Sequence, residues 1–147
     1  MRKIGHAIAF TSDLFKDIVD KGGNAYILHC LYVAHKVRNL GEDVYIAAIL
    51  HDVIEDTETT LDDLKILGFS KVTIDIVRLL THSPLDSYKE YINKVAVCPK
   101  ARAIKMADLA HNSLIHRMKG LTEKDFARLE KYHHAYKLLK ELGDSNV

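Results

Sequence analysis

The stretch Val44-Tyr45-Ile46-Ala47-Ala48-Ile49-Leu50-His51-Asp52-Val53-Ile54-Glu55-Asp56-Thr57 decides how the chain is read. Its first seven residues are apolar on every face of a helix, which marks a segment buried on all sides. Four ionisable side chains follow at once. At 100° per residue His51, Asp52, Glu55 and Asp56 fall at about 0°, 100°, 40° and 140°, so a single helical face is expected to carry all four. Three carboxylates that close repel one another and lose solvation near a core, which calls for a cation or a wide solvent opening. The bland alternative is a solvated acidic helix end, where His51 meets Glu55 as an i, i+4 neighbour.

Outward from this stretch, two prolines and seven glycines in 147 residues, with apolar residues recurring every three or four positions, predict an all-α fold and one domain over 1–147. Helices are expected over 4–19, 26–40 and 43–56. A short one follows from a Thr60 cap to near Gly68, and another from a Ser70 cap to about residue 81. The rest are 87–97, 99–119 opened by Pro99, and 123–142 behind a Thr122/Asp125 capping box. Gly41 suits a left-handed C-terminal cap and Gly143 is expected to close the last helix.

Composition excludes several classes. With 21 Lys+Arg against 20 Asp+Glu and no basic stripe, nucleic acid is a poor partner. The apolar run 44–50 is far shorter than the ~20 residues that span a bilayer, and no signal-peptide stretch opens the chain, so no membrane insertion is expected. Cys30 and Cys98 have no paired spacing, which points to reduced thiols and a cytoplasmic location. The composition leaves room for a homo-oligomer.

Two further helices offer ligand-type side chains among apolar neighbours: His29 in Tyr26-Ile27-Leu28-His29-Cys30, and Asp108 in Ile104-Lys105-Met106-Ala107-Asp108-Leu109. Each alone reads as readily as a satisfied core histidine, or as an aspartate paired with Lys105. Together with His51-Asp52 they follow a known order. The chain resembles the HD-domain metal-dependent phosphohydrolases, above all the (p)ppGpp hydrolase domains of the stringent-response enzymes and their small single-domain relatives. The resemblance is carried by Lys21-Gly22-Gly23-Asn24-Ala25-Tyr26-Ile27-Leu28-His29, by 47–57, by Ser87-Tyr88-Lys89-Glu90-Tyr91-Ile92 and by Ile104-Lys105-Met106-Ala107-Asp108-Leu109-Ala110-His111-Asn112.

That resemblance implies that His29, His51, Asp52 and Asp108 bind one divalent ion, usually Mn²⁺ in this branch, with Fe²⁺ or Zn²⁺ also suited to such a nitrogen and oxygen set. Glu55 and Asp56 would hold and deprotonate the attacking water, or Glu55 would instead orient a histidine ligand. Asn112 matches a nucleotide-binding asparagine and Lys21 a phosphate-contacting lysine, while Lys105 shares a helical face with Asp108 and Asn112. Tyr88 and Tyr91 are read as pocket lining or helix core, and Arg117 as a phosphate contact or a surface residue. His35, His111, His116, His133 and His134 match no ligand position and are given no function.

The implied substrate is a nucleotide, with the 3′-pyrophosphate of (p)ppGpp the favoured bond. Three departures bear on this. Asp20-Lys21 stands where many of these hydrolases have Arg-Lys, the arginine holding guanine; Cys30 stands where proline follows the histidine; Ala25 stands where proline precedes the tyrosine. No segment resembling a synthetase or regulatory domain is expected after the last helix. Two other readings remain: a nucleotide-binding or signalling module of the same fold with weak catalysis, and a di-iron protein, since Asp108-Leu109-Ala110-His111 has a carboxylate-x-x-His spacing.

Overall fold

The apolar segment forms α3 (Glu42–Leu50), in which Val44 and Ile46 to Leu50 are all buried. Ile49 and Leu50 have no exposed surface, and burying each is worth ~1.5–3 kcal/mol as an upper estimate. The structure, a computed structural model, describes residues 3–145. α3 packs against α1 (Ile4–Leu14), α2 (Tyr26–Lys36), α6 (Lys71–Leu80) and α8 (Pro99–Asn112), so it runs through the middle of a helical array. The remaining helices are α4 (Val53–Asp56), α5 (Leu61–Ile66), α7 (Tyr88–Val97) and α9 (Glu123–Ser145), with 3-10 turns at Arg38–Leu40 and Ile115–Arg117. Among the described residues the only β-type pairing is an isolated bridge between Val19 and Ala25. The fold is all-α, as the periodicity predicts.

Helix starts follow the caps. Thr60, Ser70 and Ser87 each accept a hydrogen bond from the backbone three residues on, and Thr122 and Asp125 exchange bonds at the start of α9. Pro99 opens α8 at its first turn.

Helix ends depart from expectation, because side chains intervene that the apolar period does not register. The first helix stops at Leu14 rather than near residue 19, and the chain then folds into a loop held by Asp20, whose Oδ1 accepts from the Gly22 and Asn24 backbone N–H groups. The helix expected over 43–56 is divided in two at His51-Asp52, where the His51 ring bonds to the Ala48 carbonyl and Asp52, at φ −102°, ψ −1°, caps the second piece. α8 ends at Asn112 rather than near 119, where Ser113 Oγ donates to the Leu109 carbonyl and φ −96°, ψ 0° turns the chain. Gly41 does adopt positive φ, 101°, but with extended ψ 165°, so it begins α3 instead of forming a left-handed cap. Gly143 continues α9 instead of closing it, its face turned toward Arg102.

Gly22 fixes how the 15–25 loop meets the 113–118 loop. A Cβ there would stand 2.0 Å from the Arg117 carbonyl oxygen, which is backbone and cannot swing away. Gly5 in α1 has open space around it. Gly22→Ala is therefore expected to lower stability by 1 kcal/mol or more, within the ~1–3 kcal/mol range of overpacking. Gly5→Ala should raise it by ~0.5–1 kcal/mol through helix propensity. Denaturant unfolding of both variants checks the pair, and equal effects would contradict the close approach.

Candidate metal centre

α2 carries His29, the break between α3 and α4 carries His51 and Asp52, and α8 carries Asp108. The four meet. His29 Nε2 lies 3.0 Å from Asp108 Oδ1 and 3.7 Å from Asp52 Oδ2, while His51 Nε2 lies 3.0 Å from Asp52 Oδ2 and 3.4 Å from Asp108 Oδ1. One donor atom from each side chain falls within 4.8 Å of all the others, and among the described residues no other group of three or more His, Cys, Asp or Glu does so. Both histidines and Asp108 are buried; Asp52 is nearly so.

The donor set fits a divalent cation. His51 Nδ1–H donates to the Ala48 carbonyl at 2.6 Å, which leaves the lone pair of the neutral ring on Nε2. That Nε2 is buried and has no hydrogen-bond partner, although two carboxylate oxygens stand beside it. Burial pushes the His51 pKa down, yet Asp52 and then Asp108 outweigh it and hold the ring well above its ordinary value. The centre of the cluster thus calls for positive charge, which a proton or a metal ion can supply. Two imidazoles and two carboxylates suit Mn²⁺, Fe²⁺ or Zn²⁺. Cys30, next in sequence to His29, is pushed up to about 12 by burial, and its sulfur is not among the converging donor atoms.

Lys105 and Asn112 sit on Asp108. The Lys105 ammonium donates to Oδ2 at 2.8 Å and the Asn112 amide to Oδ1 at 2.9 Å. Burial raises the Asp108 pKa, but the Lys105 ammonium, followed by the neighbouring His29 and His51 rings, holds it well below the usual carboxylate range. Tyr91, beneath the Lys105 ammonium at 5.3 Å, donates its hydroxyl to the Leu80 carbonyl and belongs to the core. The Tyr88 hydroxyl is buried without a partner.

The four side chains expected on a single helical face, His51, Asp52, Glu55 and Asp56, divide into an inner and an outer pair. His51 and Asp52 turn into the cluster; Glu55 and Asp56 stay at its solvent-facing edge, their carboxyl groups partly shielded from water. Glu55 Oε1 accepts the His82 backbone N–H, and Asp56 Oδ2 lies 3.5 Å from the Tyr26 hydroxyl, which also donates to Asp52 Oδ2. Burial, then the Asp52 charge, pushes Asp56 up to about 6; burial likewise raises Glu55.

Beside the cluster lies a cleft of about 310 Å³, lined in part by Lys21, Tyr26, Asn112, Arg117, Arg128 and Tyr132. Tyr26 and Asn112 join it to the cluster through Asp52 and Asp108. Arg117 is not a free surface residue: its guanidinium donates to Asp20 Oδ2 at 2.9 Å and to the His111 carbonyl at 2.7 Å. Lys21 is half exposed, 3.8 Å from Asp125.

Sequence reasoning missed two residues. Tyr26 clamps Asp52; its position one helical turn before His29 was the available signal. His111, given no function, places its Nδ1 2.7 Å from His29 Nδ1. The carboxylate-x-x-His spacing singles it out for a di-iron site, yet its ring meets the Nδ1 side of His29 and lies outside the four converging donor atoms.

No protein-family model matches the chain. Over 120 residues, 75% of its length, it is 31% identical to the guanosine-3′,5′-bis(diphosphate) 3′-pyrophosphohydrolase of Aquifex aeolicus, of which it spans 17%. Over 102 residues, 63% of its length, it is 30% identical to a protein of the same description from Danio rerio, of which it spans 56%. It is also 34% identical over 104 residues, 63% of its length, to a probable GTP pyrophosphokinase of Mycobacterium leprae, of which it spans 13%. The solved structure of a metazoan ortholog of SpoT that hydrolyses ppGpp superposes with a TM-score of 0.77 at 23% identity, over 97% of this chain and 85% of that one. The chain has an HD-domain fold and is similar to the (p)ppGpp hydrolases. It covers well under two thirds of the length of these curated relatives. Among the described residues no helix is long and apolar enough to cross a membrane.

Two outcomes follow from the charge balance. Lys105→Met leaves Asp108 buried without its cation, so in chelator the variant should lose roughly 3–5 kcal/mol of stability, and Mn²⁺ should restore a large part of it; calorimetry with and without metal checks this. For Asp56 the folded pKa of about 6 lies above the ~3.9 of an unfolded aspartate. The folded state then binds the extra proton, so the stabilising contribution is present below pH ~4 and is lost as pH rises through ~6. The melting temperature of the metal-free protein, taken relative to Asp56→Asn, should fall across that window.

Proposed function

We propose that the protein is a divalent-metal-dependent phosphohydrolase, one HD-type domain over 1–147, that removes the 3′-pyrophosphate from a guanosine polyphosphate such as ppGpp. The observation that carries this reading is the convergence of His29, His51, Asp52 and Asp108 within 4.8 Å, beside a cleft with cationic walls. Mn²⁺ is the favoured ion. When bound, the ion supplies Lewis acidity toward phosphate and increases the acidity of water.

The chain's own residues do the rest. Lys105 and Asn112 hold the two oxygens of Asp108, and the lysine keeps further N–H donors to offer a phosphate. Tyr26 fixes Asp52 and keeps its own proton, since burial and the Asp52 charge push its pKa far up. Glu55 has Oε1 tied to the His82 backbone, so Oε2 is the atom that accepts a proton from the attacking water; its raised pKa makes it a better acceptor than a solvated glutamate. Asp56, near neutrality, shares that task. Lys21 and Arg128 face the cleft for phosphate, and Asn112 for ribose or base. Both thiols are free, in keeping with a reducing cytoplasm.

The test is release of pyrophosphate from ppGpp, alongside a panel of other nucleotides, by metal-loaded protein. Asp52→Ala should abolish both ion uptake and turnover. Glu55→Ala should spare ion uptake and lower kcat by ~10²–10⁴-fold, the range of general acid–base catalysis. Nucleotide binding without any metal-stimulated turnover would replace the hydrolase reading with that of a binding module.

A further inference from the structure

Resting on the metal-centre reading, we propose that His111 is the residue that positions His29, by accepting the proton of its Nδ1 and so holding Nε2 toward the cation. The two Nδ1 atoms are 2.7 Å apart. The rings lie within 14° of coplanar with centres 5.0 Å apart, so at that nitrogen separation they meet edge to edge through nitrogen, in the plane where an N–H···N bond is strongest. Only one proton fits between nitrogens so close. If His29 Nε2 is to offer its lone pair beside Asp108 Oδ1, its proton must sit on Nδ1, so His111 Nδ1 is the acceptor and His111 carries its own proton on Nε2. One contact thus sets the tautomer of both rings.

His111 is itself held from two sides. The Tyr32 ring lies face to face on it at 3.8 Å and 18°, and Arg117 anchors its backbone carbonyl. It is also three residues beyond Asp108, so α8 supplies one ligand directly and steers a second from the next helical turn. Ligand histidines are commonly oriented by a carboxylate or a carbonyl. Here a carboxylate would add a third buried negative charge beside Asp52 and Asp108; a neutral imidazole orients the ring without that cost.

The test titrates metal-free protein with Mn²⁺ by calorimetry. His111→Phe keeps a flat ring against Tyr32 but has no acceptor, and its affinity is expected to fall ~10–100-fold. His111→Asn places an amide oxygen near the former Nδ1 and should regain most of that loss. A merely packing role predicts the reverse order. Independently of any variant, nitrogen-15 histidine spectra of the Zn²⁺-loaded wild type should show a slowly exchanging His29 Nδ1 proton coupled to a His111 nitrogen. Wild-type affinity in His111→Phe, no rescue by His111→Asn, or the absence of that proton signal each overturns the proposal while leaving the hydrolase reading intact. A wild-type protein that takes up no divalent ion overturns both.

Discussion

Two buried aspartates facing each other across two imidazoles set the terms for this molecule. With donor atoms within 4.8 Å, the Asp52 and Asp108 charges repel by ~3–4 kcal/mol at an effective dielectric of 20, before any loss of solvation is counted. A fold of this size, stable by ~5–15 kcal/mol, retains such a pair only where the surroundings offset it. Lys105, Asn112 and Tyr26 do so from the outside, each donating to one of the two carboxylates. What they leave uncompensated lies at the middle, on the side of His51 Nε2. That asymmetry is why the cluster reads as a cation site rather than as a set of internal salt bridges.

The scaffold explains how such a cluster is kept in register. From Val44 onward α3 is apolar all round and packs against four other helices, so its last turn is fully buried. The helix is then interrupted at the point where His51 and Asp52 have to point inward together. The two neighbours meet there, His51 Nε2 3.0 Å from Asp52 Oδ2.

Much of this was legible in the sequence. The all-apolar run announced a central helix because nothing in it could face water, and the caps at Thr60, Ser70, Ser87 and Thr122 announced helix starts because their side chains have few other uses there. The quartet of His29, His51, Asp52 and Asp108 was visible only as three separated fragments, which the family resemblance joined. Helix ends were less legible, since they depend on contacts between distant residues: the loop after Leu14 is shaped by Asp20 reaching Arg117, and the end of α8 by Ser113 turning back on its own helix. His111 was hidden for a similar reason. Its importance lies in a contact with a residue 82 positions away, and no local pattern encodes that.

Arg117 touches both halves of the site, reaching Asp20 at the cleft and the backbone of His111 behind the cluster. The shape of the cleft and the seating of His111 consequently share one side chain. An exchange at position 20 would free the guanidinium that also holds the His111 carbonyl, so a change at the cleft would loosen the backbone behind the cluster. Of the three positions, 20 and 117 are tied through their side chains, whereas 111 is tied to 117 through its backbone and so keeps its hold whatever ring it carries.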